Sequence, residues 1–378
     1  MVARLASIRD IAKNAWDGFA NPPGAPYNPL VSHDFFRCLE DSGTATAKTG
    51  WAPCHHVEKD AAGEVAAVAP CYLKSHSLGE YVFDQGWAEA FNRAGGRYYP
   101  KLQVAVPFTP VTGARLMAET QAGKAGLAEA LIASAGNFGA SSVHVTFLPE
   151  TDARALAGPR WLLRTDIQFQ WHNRGFRNFA EFLTSLASAK RKNIRRERES
   201  LAGIEFARLT GRDITEAHWD AFHAFYMDTG SRKWGRPYLN RAFFSLISEA
   251  MADRVLLVIA TRAGRPIAGA LNFIGGDALY GRNWGAIEHH PNLHFETCYY
   301  QAIEFAIERG LARVEAGAQG PHKLARGYLP VTTFSLHHLA HRGLAAAVDR
   351  YLAEERASIA AEAEALARHA PFRHEEGE

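Results

Sequence analysis

Cysteine is scarce in this chain of 378 residues, which contains only four. Cys38, Cys54, Cys71 and Cys298 show neither the spacing of metal ligands nor the density of a disulfide-bonded scaffold. We therefore expect reduced, mostly buried thiols. Cys298 follows His294 near a predicted helix N-terminus, where a thiolate would be stabilised, but packing on an amphipathic helix is the expected role.

Long apolar runs and an excess of charge of one sign are also missing. No window approaches the roughly 20 apolar residues that cross a bilayer, and the first residues lack the apolar stretch of a signal peptide, so we expect a cytoplasmic protein. The formal net charge is +2, from 42 Lys and Arg against 40 Asp and Glu. This balance excludes a broad nucleic-acid-binding surface and leaves room for local basic patches.

Several catalytic motifs are absent from the sequence. It contains no Gly-x-Ser-x-Gly elbow, no phosphate loop ending in Gly-Lys-Ser/Thr and no Gly-x-Gly-x-x-Gly after a strand, which removes the usual support for a hydrolase, a kinase or a dehydrogenase. The histidines of 289–294 and 337–341 do not follow the His-Glu-x-x-His spacing, so no metal site is expected.

The length favours two domains, which we place at 1–172 and 173–378. Each half shows the same order of elements: a helix, antiparallel strands, another helix, a strand and a last strand. The sequence therefore predicts an α+β protein with mixed, mainly antiparallel sheets. The individual elements predicted are a helix over 1–19, a hairpin over 55–74, a long amphipathic helix over 176–203, a three-stranded meander over 254–284 and a C-terminal helix from Gly343.

The segment Leu279–Thr332 carries the densest group of polar residues. A strand, a helix ended by Gly310, and a second short strand over 312–316 are followed by a glycine-rich polar loop. Packing alone rarely requires such a mixture of side chains. The residues concerned are Glu315, Gln319, His322, Lys323, Arg326 and Tyr328.

This composition suits direct acyl transfer to an amine. That reaction needs a proton acceptor, stabilisation of a developing oxyanion and two aligned substrates, but no covalent enzyme intermediate. Glu315 is the candidate base, directly or through a water, while Lys323 or Arg326 would stabilise negative charge. The alternative is that Glu315 is a strand-end carboxylate paired with Arg313 or Arg326.

Other polar positions are candidates for binding. Lys190, Arg191 and Arg195, in a basic run over 190–198, and Arg115, in a Thr-Gly-Ala-Arg turn at a helix entrance, could bind donor phosphates. A solvated helix face and a tight connection are the respective alternatives. The candidate substrate-binding residues are Arg232, Trp234, Tyr238, Arg282, Trp284, His294, Glu296, Tyr300, Gln319, His322 and Tyr328.

Several segments resemble a known bacterial family. PYLNRAFFSLI, LLVIATRAGRPIAGALNFIGGDALYGRNWG, PNLHFETCYYQAIEFAIERGL and EAGAQGPHKLARGYLPV are similar to the N-acyltransferase family labelled "peptidoglycan biosynthesis/recognition", as are GEYVFDQGWAEAF and YYPKLQVAVPFTPVTGARL. The resemblance covers nearly the whole chain. It implies two domains like those of the GNAT superfamily, to which the Fem-type aminoacyltransferases are related.

The resemblance also bears on the substrates. Fem-type enzymes carry an acidic-glycine strand end followed by Phe-Lys-x-Gly-Phe-Gly with a functional lysine, and Glu315, Gly317, Lys323 and Gly327 are similar in place and order. The acetyl-CoA motif of GNAT enzymes is absent. We therefore expect no tightly bound cofactor and an N-acyltransferase that uses acyl-CoA, a carrier thioester or aminoacyl-tRNA, with a small-molecule or peptide amine as acceptor. A non-catalytic module that recognises a cell-wall fragment or peptide is the alternative.

Overall fold

The computed structural model describes residues 2–233, 237–318 and 320–373. The chain divides into two compact units, each with its own hydrophobic core. The first comprises Met1–Asp166 and Thr332–Ala361, and the second comprises Ile167–Val331 and Glu362–Glu378. Each unit is thus formed by two separate segments of the chain.

Helices and strands alternate along the chain, which confirms the predicted α+β class. The helices are α1 Lys13–Ala20, α2 His33–Asp41, α3 Gln85–Arg93, α4 Gln121–Phe138, α5 Glu150–Leu156, α6 Phe179–Ser185, α7 Ser188–Glu199, α8 Glu216–Lys233, α9 Arg241–Ala250, α10 Leu293–Phe295, α11 Gln301–Glu308 and α12 Arg342–Arg368. The strands are β1 Val2–Leu5, β2 Trp51–Pro53, β3 His55–Lys59, β4 Val65–Ala69, β5 Cys71–Lys74, β6 Lys101–Val104, β7 Met117–Ala118, β8 Ser142–Leu148, β9 Leu162–His172, β10 Ile204–Thr210, β11 Val255–Arg262, β12 Arg265–Ile274, β13 Ala278–Ala286, β14 Arg313–Ala318 and β15 Leu329–Leu339.

The first unit contains two sheets. One is antiparallel, in the order β1-β3-β4-β7, and the other runs β2-β5-β6-β8-β15 with β6 and β8 parallel. Helix α4 connects these parallel strands and packs its apolar side on them through Leu127 and Leu131. The Thr120 side chain caps the helix at its start, and Gly139, in the left-handed conformation, ends it.

The second unit contains one described sheet, in the order β10-β11-β12-β13-β14-β9. All neighbours are antiparallel except β13 and β14, which are parallel and joined through α10 and α11. Helix α8 crosses β13 at Gly285, where a Cβ atom would lie 2.2 Å from the backbone carbonyl carbon of Phe225. Only glycine allows this approach.

The structure confirms most predicted elements. The hairpin appears as the antiparallel pair β3 and β4, followed by β5, and the meander appears as β11, β12 and β13. The predicted C-terminal helix appears as α12, which begins at Arg342.

Two helix predictions are wrong in part. Residues 1–19 begin with β1, which pairs with β3, and only α1 from Lys13 is α-helical. The predicted helix over 176–203 is divided into α6 and α7 because Leu186 is extended and bridges Phe372. Helical periodicity continued through this break, but the backbone groups at the break pair with the C-terminal segment: Ala187 N–H donates to the Pro371 carbonyl at 2.9 Å.

Candidate active site

Three polar side chains form a row where the parallel strands of the second unit meet. Tyr280 on β13 pairs in register with Glu315 on β14, and Glu315 pairs with Gln170 on β9. Paired residues on neighbouring strands project from the same face of the sheet. The pairing of β13 and β14 ends at Tyr280 and Glu315, so Glu315 lies at the point where these two strands cease to bond.

Glu315 is almost entirely buried, with 2% of its surface exposed. Its Oε1 accepts a hydrogen bond from Arg313 Nε at 3.0 Å, and its Oε2 has no partner among the described residues. Burial raises the pKa of Glu315, against the opposing charges of Arg313 and Arg282. A carboxylate with a raised pKa and one unpartnered oxygen has the properties of a proton acceptor.

Lys323 lies next to the end of β14. It belongs to a 3-10 turn, Pro321–Arg326, and its Nζ donates to the carbonyl of Ala316 at 2.8 Å and to that of Gly317 at 3.0 Å. Burial, together with the charge of Arg282, lowers the pKa of Lys323 to about 7. An ammonium group has three N–H donors, and two are used here, so the protonated lysine retains one for a ligand.

Two glycines near Lys323 have left-handed backbone conformations. Gly317 has a φ of 75° and Gly327, which ends the 3-10 turn, has a φ of 89°. A Cβ at Gly327 would lie 2.8 Å from the ring of Phe182. These positions therefore require glycine, both for the left-handed backbone and, at Gly327, for space.

Arg326 is committed to contacts within the protein. Its Nη2 donates to Glu197 of α7 at 2.6 Å, its Nη1 donates to the His322 carbonyl, and its guanidinium lies 3.3 Å from the centre of the Phe295 ring. This arrangement favours a positioning role over the predicted role in charge stabilisation. Among the described residues, Glu315 pairs with Arg313 and not with Arg326. Arg313 was one of the two partners that the sequence suggested for a structural role of Glu315.

An aromatic cluster surrounds the turn that carries Lys323. A π-helical segment, Glu296–Tyr300, interrupts the helix between α10 and α11, and such segments frequently occur at functional sites. The Tyr299 hydroxyl lies 3.0 Å from His322 Nε2. The rings in contact are Trp284 with His294, His294 with Tyr299, Phe295 with Tyr299, His294 with His322 and Tyr299 with Tyr328.

Two predicted substrate-binding residues are buried in contacts with α7. Arg198 donates to both oxygens of Glu296, at 2.9 and 2.8 Å, and to Glu304 at 2.6 Å. The Tyr300 hydroxyl donates to Glu197. The structure therefore assigns Glu296 and Tyr300 to the attachment of α7 and not to a substrate-facing surface. Tyr328 is also fully buried, and its hydroxyl has no partner among the described residues.

The basic run on α7 contains side chains in two environments. Glu197 and Arg198 contact the unit, whereas Lys190, Lys192 and Arg195 are exposed and Arg191 is half-buried. Within the part of the chain that the structure describes, no ion pair neutralises the predicted phosphate-binding residues Lys190, Arg191 and Arg195, or the neighbouring Lys192. These side chains place four positive charges on a single helix.

The remaining candidates are dispersed or outside the described residues. Arg115 belongs to the first unit and is fully buried, with its guanidinium bonded to the carbonyls of Val111 and Ala114, so it does not offer its charge to a phosphate. The predicted helix entrance is also wrong, because β7 lies between this turn and α4.

Three further candidates come from the predicted loop after α8. Arg232 pairs with Asp228 on α8 and donates to the Ala286 carbonyl, and Tyr238 is exposed. Trp234 in this loop, like Gln319 after β14, lies outside the described residues.

Sequence reasoning overlooked five residues of this site. Tyr280 and Gln170 can be identified only from strand register, because no sequence pattern shows that β13, β14 and β9 are neighbours. Helical apolar spacing makes Phe295 and Tyr299 look like ordinary core positions, and Glu197 lies within a basic run. The alternation of polar residues along β9 is the one sequence signal that points to Gln170.

Groups of three or more His, Cys, Asp or Glu side chains that could hold a metal ion are not found in the described ranges. In the same ranges, no helix has the length and apolar character required to cross a membrane.

A sequence profile of the FemAB-like family, described as peptidoglycan biosynthesis/recognition, matches residues 7–374. Because the match covers nearly the whole chain, the protein belongs to this family. No curated protein matches the sequence.

Solved structures show the same fold. FemX aligns with a TM-score of 0.57 at 12% identity, over 90% of this chain and 98% of its own. A conserved protein of unknown function from Bacteroides thetaiotaomicron aligns with a TM-score of 0.51 at 13% identity, over 90% and 100%. L-PGS from Bacillus licheniformis aligns with a TM-score of 0.50 at 10% identity, over 93% and 99%. The predicted α+β fold is therefore shared with FemX, and family and fold together support the class of acyl- or aminoacyltransferases.

Proposed function

We propose that this protein transfers an acyl or aminoacyl group from an activated donor to an amine, with Glu315 and Lys323 at the reaction centre. The observation that carries the proposal is the position of Lys323, whose Nζ is held by the two carbonyls that directly follow Glu315 on the chain. A buried carboxyl group and a buried amino group therefore lie at the same strand end, which supports this proposal.

The two residues have complementary roles. The Glu315 carboxylate accepts the proton of the attacking amine, directly or through a water, because its unpartnered Oε2 and raised pKa suit a base. The Lys323 ammonium donates its third N–H to the carbonyl oxygen as negative charge develops there. The amine nitrogen forms a bond to the acyl carbon, and the bond to the donor's leaving oxygen or sulfur breaks.

The basic side chains of α7 supply the donor site in this proposal. Both an aminoacyl-tRNA and an acyl-CoA carry phosphates, which Lys190, Arg191, Lys192 and Arg195 attract. The connection after β13 lacks the acetyl-CoA motif, which favours a donor other than acetyl-CoA. The amine acceptor, a small molecule or a peptide related to a cell-wall precursor, would contact the aromatic cluster around His322.

Mass-spectrometric detection of acylated product tests the proposal. Purified protein is incubated with alanyl-, glycyl- or seryl-tRNA, or with acyl-CoA, and with a lysine-containing peptide as acceptor. Glu315→Gln and Lys323→Met should each lower kcat/KM by roughly 10²–10⁴-fold. Activity of the unmodified protein should fall above a pH of about 7, where Lys323 loses its proton. Lys323→Arg stays charged at these pH values, so the activity that this variant retains should not fall there.

Matched controls come from exposed positions. Glu249→Gln and Lys48→Met make the same chemical changes at exposed side chains and should leave turnover unchanged. Full activity of both site variants would refute the assigned roles. Ligand binding without turnover with every donor would instead favour a recognition module.

A further inference from the structure

The mixed sheet of the first unit has an apolar face and a polar face. Leu102, Val104, Val143 and Val145 pack beneath α4 on the apolar face. Side chains alternate along a strand, so the intervening residues project from the opposite face. These polar residues are at most 4% exposed, and they are Tyr72, Lys74, Lys101, Gln103, Ser142, His144, Thr146, Ser335 and His337.

Four of these residues form a row across adjacent strands. Tyr72 on β5 pairs with Gln103 on β6, Gln103 with His144 on β8, and His144 with His337 on β15. The middle of this row corresponds by topology to the row of Tyr280, Glu315 and Gln170. Each unit contains a pair of parallel strands that are joined through a helix. His144 is the third residue of β8 and Glu315 is the third residue of β14, so the two residues occupy equivalent positions.

The charges beside the row are balanced. Lys74 and Lys101 are paired across β5 and β6, and Lys101 Nζ donates to Glu80 Oε2 at 2.7 Å and to Asp84. Lys74 Nζ lies 3.7 Å from Glu80 Oε1. Two buried cations thus meet two buried carboxylates, and an added ion of either sign would face like charge.

The hydrogen bonds determine the polarity of the row. The Tyr98 hydroxyl donates to Asp84 at 2.7 Å, so toward His144 Nε2, at 3.3 Å, it can only accept. The Ser141 hydroxyl donates to the Tyr98 carbonyl, which leaves it able to accept from Ser142. The Ser142 hydroxyl lies 2.8 Å from His144 Nε2 and, like the Tyr98 hydroxyl, accepts there. This assignment puts the His144 proton on Nε2, so that Nδ1 accepts from His337 Nδ1 at 2.7 Å. This tautomer makes His337 Nε2 an acceptor.

Three atoms of the row have no hydrogen-bond partner among the described residues. They are the Tyr72 hydroxyl, Gln103 Oε1 and His337 Nε2. Gln103 Nε2 already donates to Thr146, so its oxygen and His337 Nε2 require donors, whereas the tyrosine hydroxyl supplies one. Buried polar groups in native proteins are normally paired, and three such atoms in one row indicate a partner that both donates and accepts.

We propose that this polar face is a second binding site, for a neutral molecule rich in hydroxyl groups such as a sugar. The row spans three strand spacings, about 14 Å, which is long enough for a monosaccharide with a substituent. Aromatic rings flank the row. The ring centre of Trp51 lies 5.4 Å from that of Tyr72, and the ring centre of Trp87 lies 5.0 Å from that of His337. The site is independent of the transferase assignment.

Residues 75–84 contact the lysines of this face, and in this proposal a ligand enters when the segment is displaced. Glu80 and Asp84 of this segment point inward, while Leu78 and Phe83 are 54% and 55% exposed. Gly79 and Tyr81 have φ values of 81° and 60°, so the backbone changes direction sharply here. The segment is attached through polar contacts to Lys101 and Lys74 and must open to admit a ligand.

Saturation-transfer NMR with the full chain tests the proposal, using glucose, N-acetylglucosamine and inositol as probes. We expect at least one probe to bind, and Gln103→Leu to weaken binding tenfold or more. Tyr72→Phe removes one hydroxyl with little risk to folding and should weaken binding severalfold. Lys323→Met should bind the sugar normally, which separates this site from the transferase site.

Hydrogen exchange gives a second readout, because a bound sugar should slow exchange over residues 75–84. Absence of binding with all three probes would overturn the proposal. So would equal binding by wild type, Gln103→Leu and Tyr72→Phe, or a crystal grown with the sugar in which only water contacts the row.

Discussion

At the scale of single residues, Lys323 shows how burial and function are linked. Its pKa is lowered to about 7 because the ammonium is desolvated, although both carbonyl contacts are available to it in either protonation state. Lysine in an unfolded chain has a pKa near 10.4. Between these two values the unfolded protein binds the extra proton, so the contribution of Lys323 to the free energy of unfolding rises with pH.

Lys323→Met should therefore stabilise the protein most at low pH. At pH 6 the buried ammonium opposes folding, and its removal should raise the free energy of unfolding by roughly 1–3 kcal/mol. At pH 10 the difference should largely disappear. Urea denaturation of both proteins at the two pH values measures this effect, while Lys48→Met, at an exposed position, should show no pH-dependent difference. A constant difference across this range would contradict the burial of the charge.

At the scale of elements, α7 combines two roles on one helix. Glu197 and Arg198 attach it to the π-helical segment and to Arg326, while Lys190, Lys192 and Arg195 are exposed. A basic run in the sequence therefore contains both structural and surface residues. The buried carboxylates identify which ones are structural.

Arg198→Met and Arg195→Met should differ sharply in stability. Arg198→Met leaves Glu296, 3% exposed, without its cation, and should lower the free energy of unfolding by about 3 kcal/mol. Arg195→Met changes an exposed side chain on the same helix and should have an effect within about 0.5 kcal/mol. Chemical denaturation compares the two, and equal effects would show that the Arg198 pair is unimportant.

At the scale of the whole molecule, a net charge of +2 means that attraction to a polyanion must be local. Binding of a tRNA donor through α7 should weaken steeply with salt, with the slope of log K against log salt set by the number of phosphate contacts. Replacing Lys190, Lys192 and Arg195 together by Gln should reduce that slope by about 2 to 3 units.

Filter binding over a range of salt concentrations measures the slope. Replacing Lys48, Lys59 and Lys124 of the first unit by Gln removes the same charge elsewhere and should leave the slope unchanged. An equal reduction in both triple variants would mean that the attraction is not confined to α7.

Much of the fold follows from local sequence. Alternation and turn residues specify the meander and the hairpin, and the caps at Thr120 and Gly139 bound α4, because these elements are determined by neighbours a few residues away. Glu315 and Lys323 could be identified because a strand end and a glycine-rich turn bring them close along the chain. The break at Leu186 could not be identified in this way, because the backbone there bonds the chain near residue 371, which is far away in the sequence.

Local sequence patterns specify the α+β class, the order of elements and the polar segment after β14. Long-range packing specifies that Tyr280 and Gln170 flank Glu315, that Glu197 bonds Arg326, and that residues 332–361 belong to the first unit. Strand register and long-range ion pairs depend on atoms far apart in the chain. Local propensity does not depend on those partners and cannot predict them. Burial, which shifts the pKa of Lys323, occurs only in the folded protein.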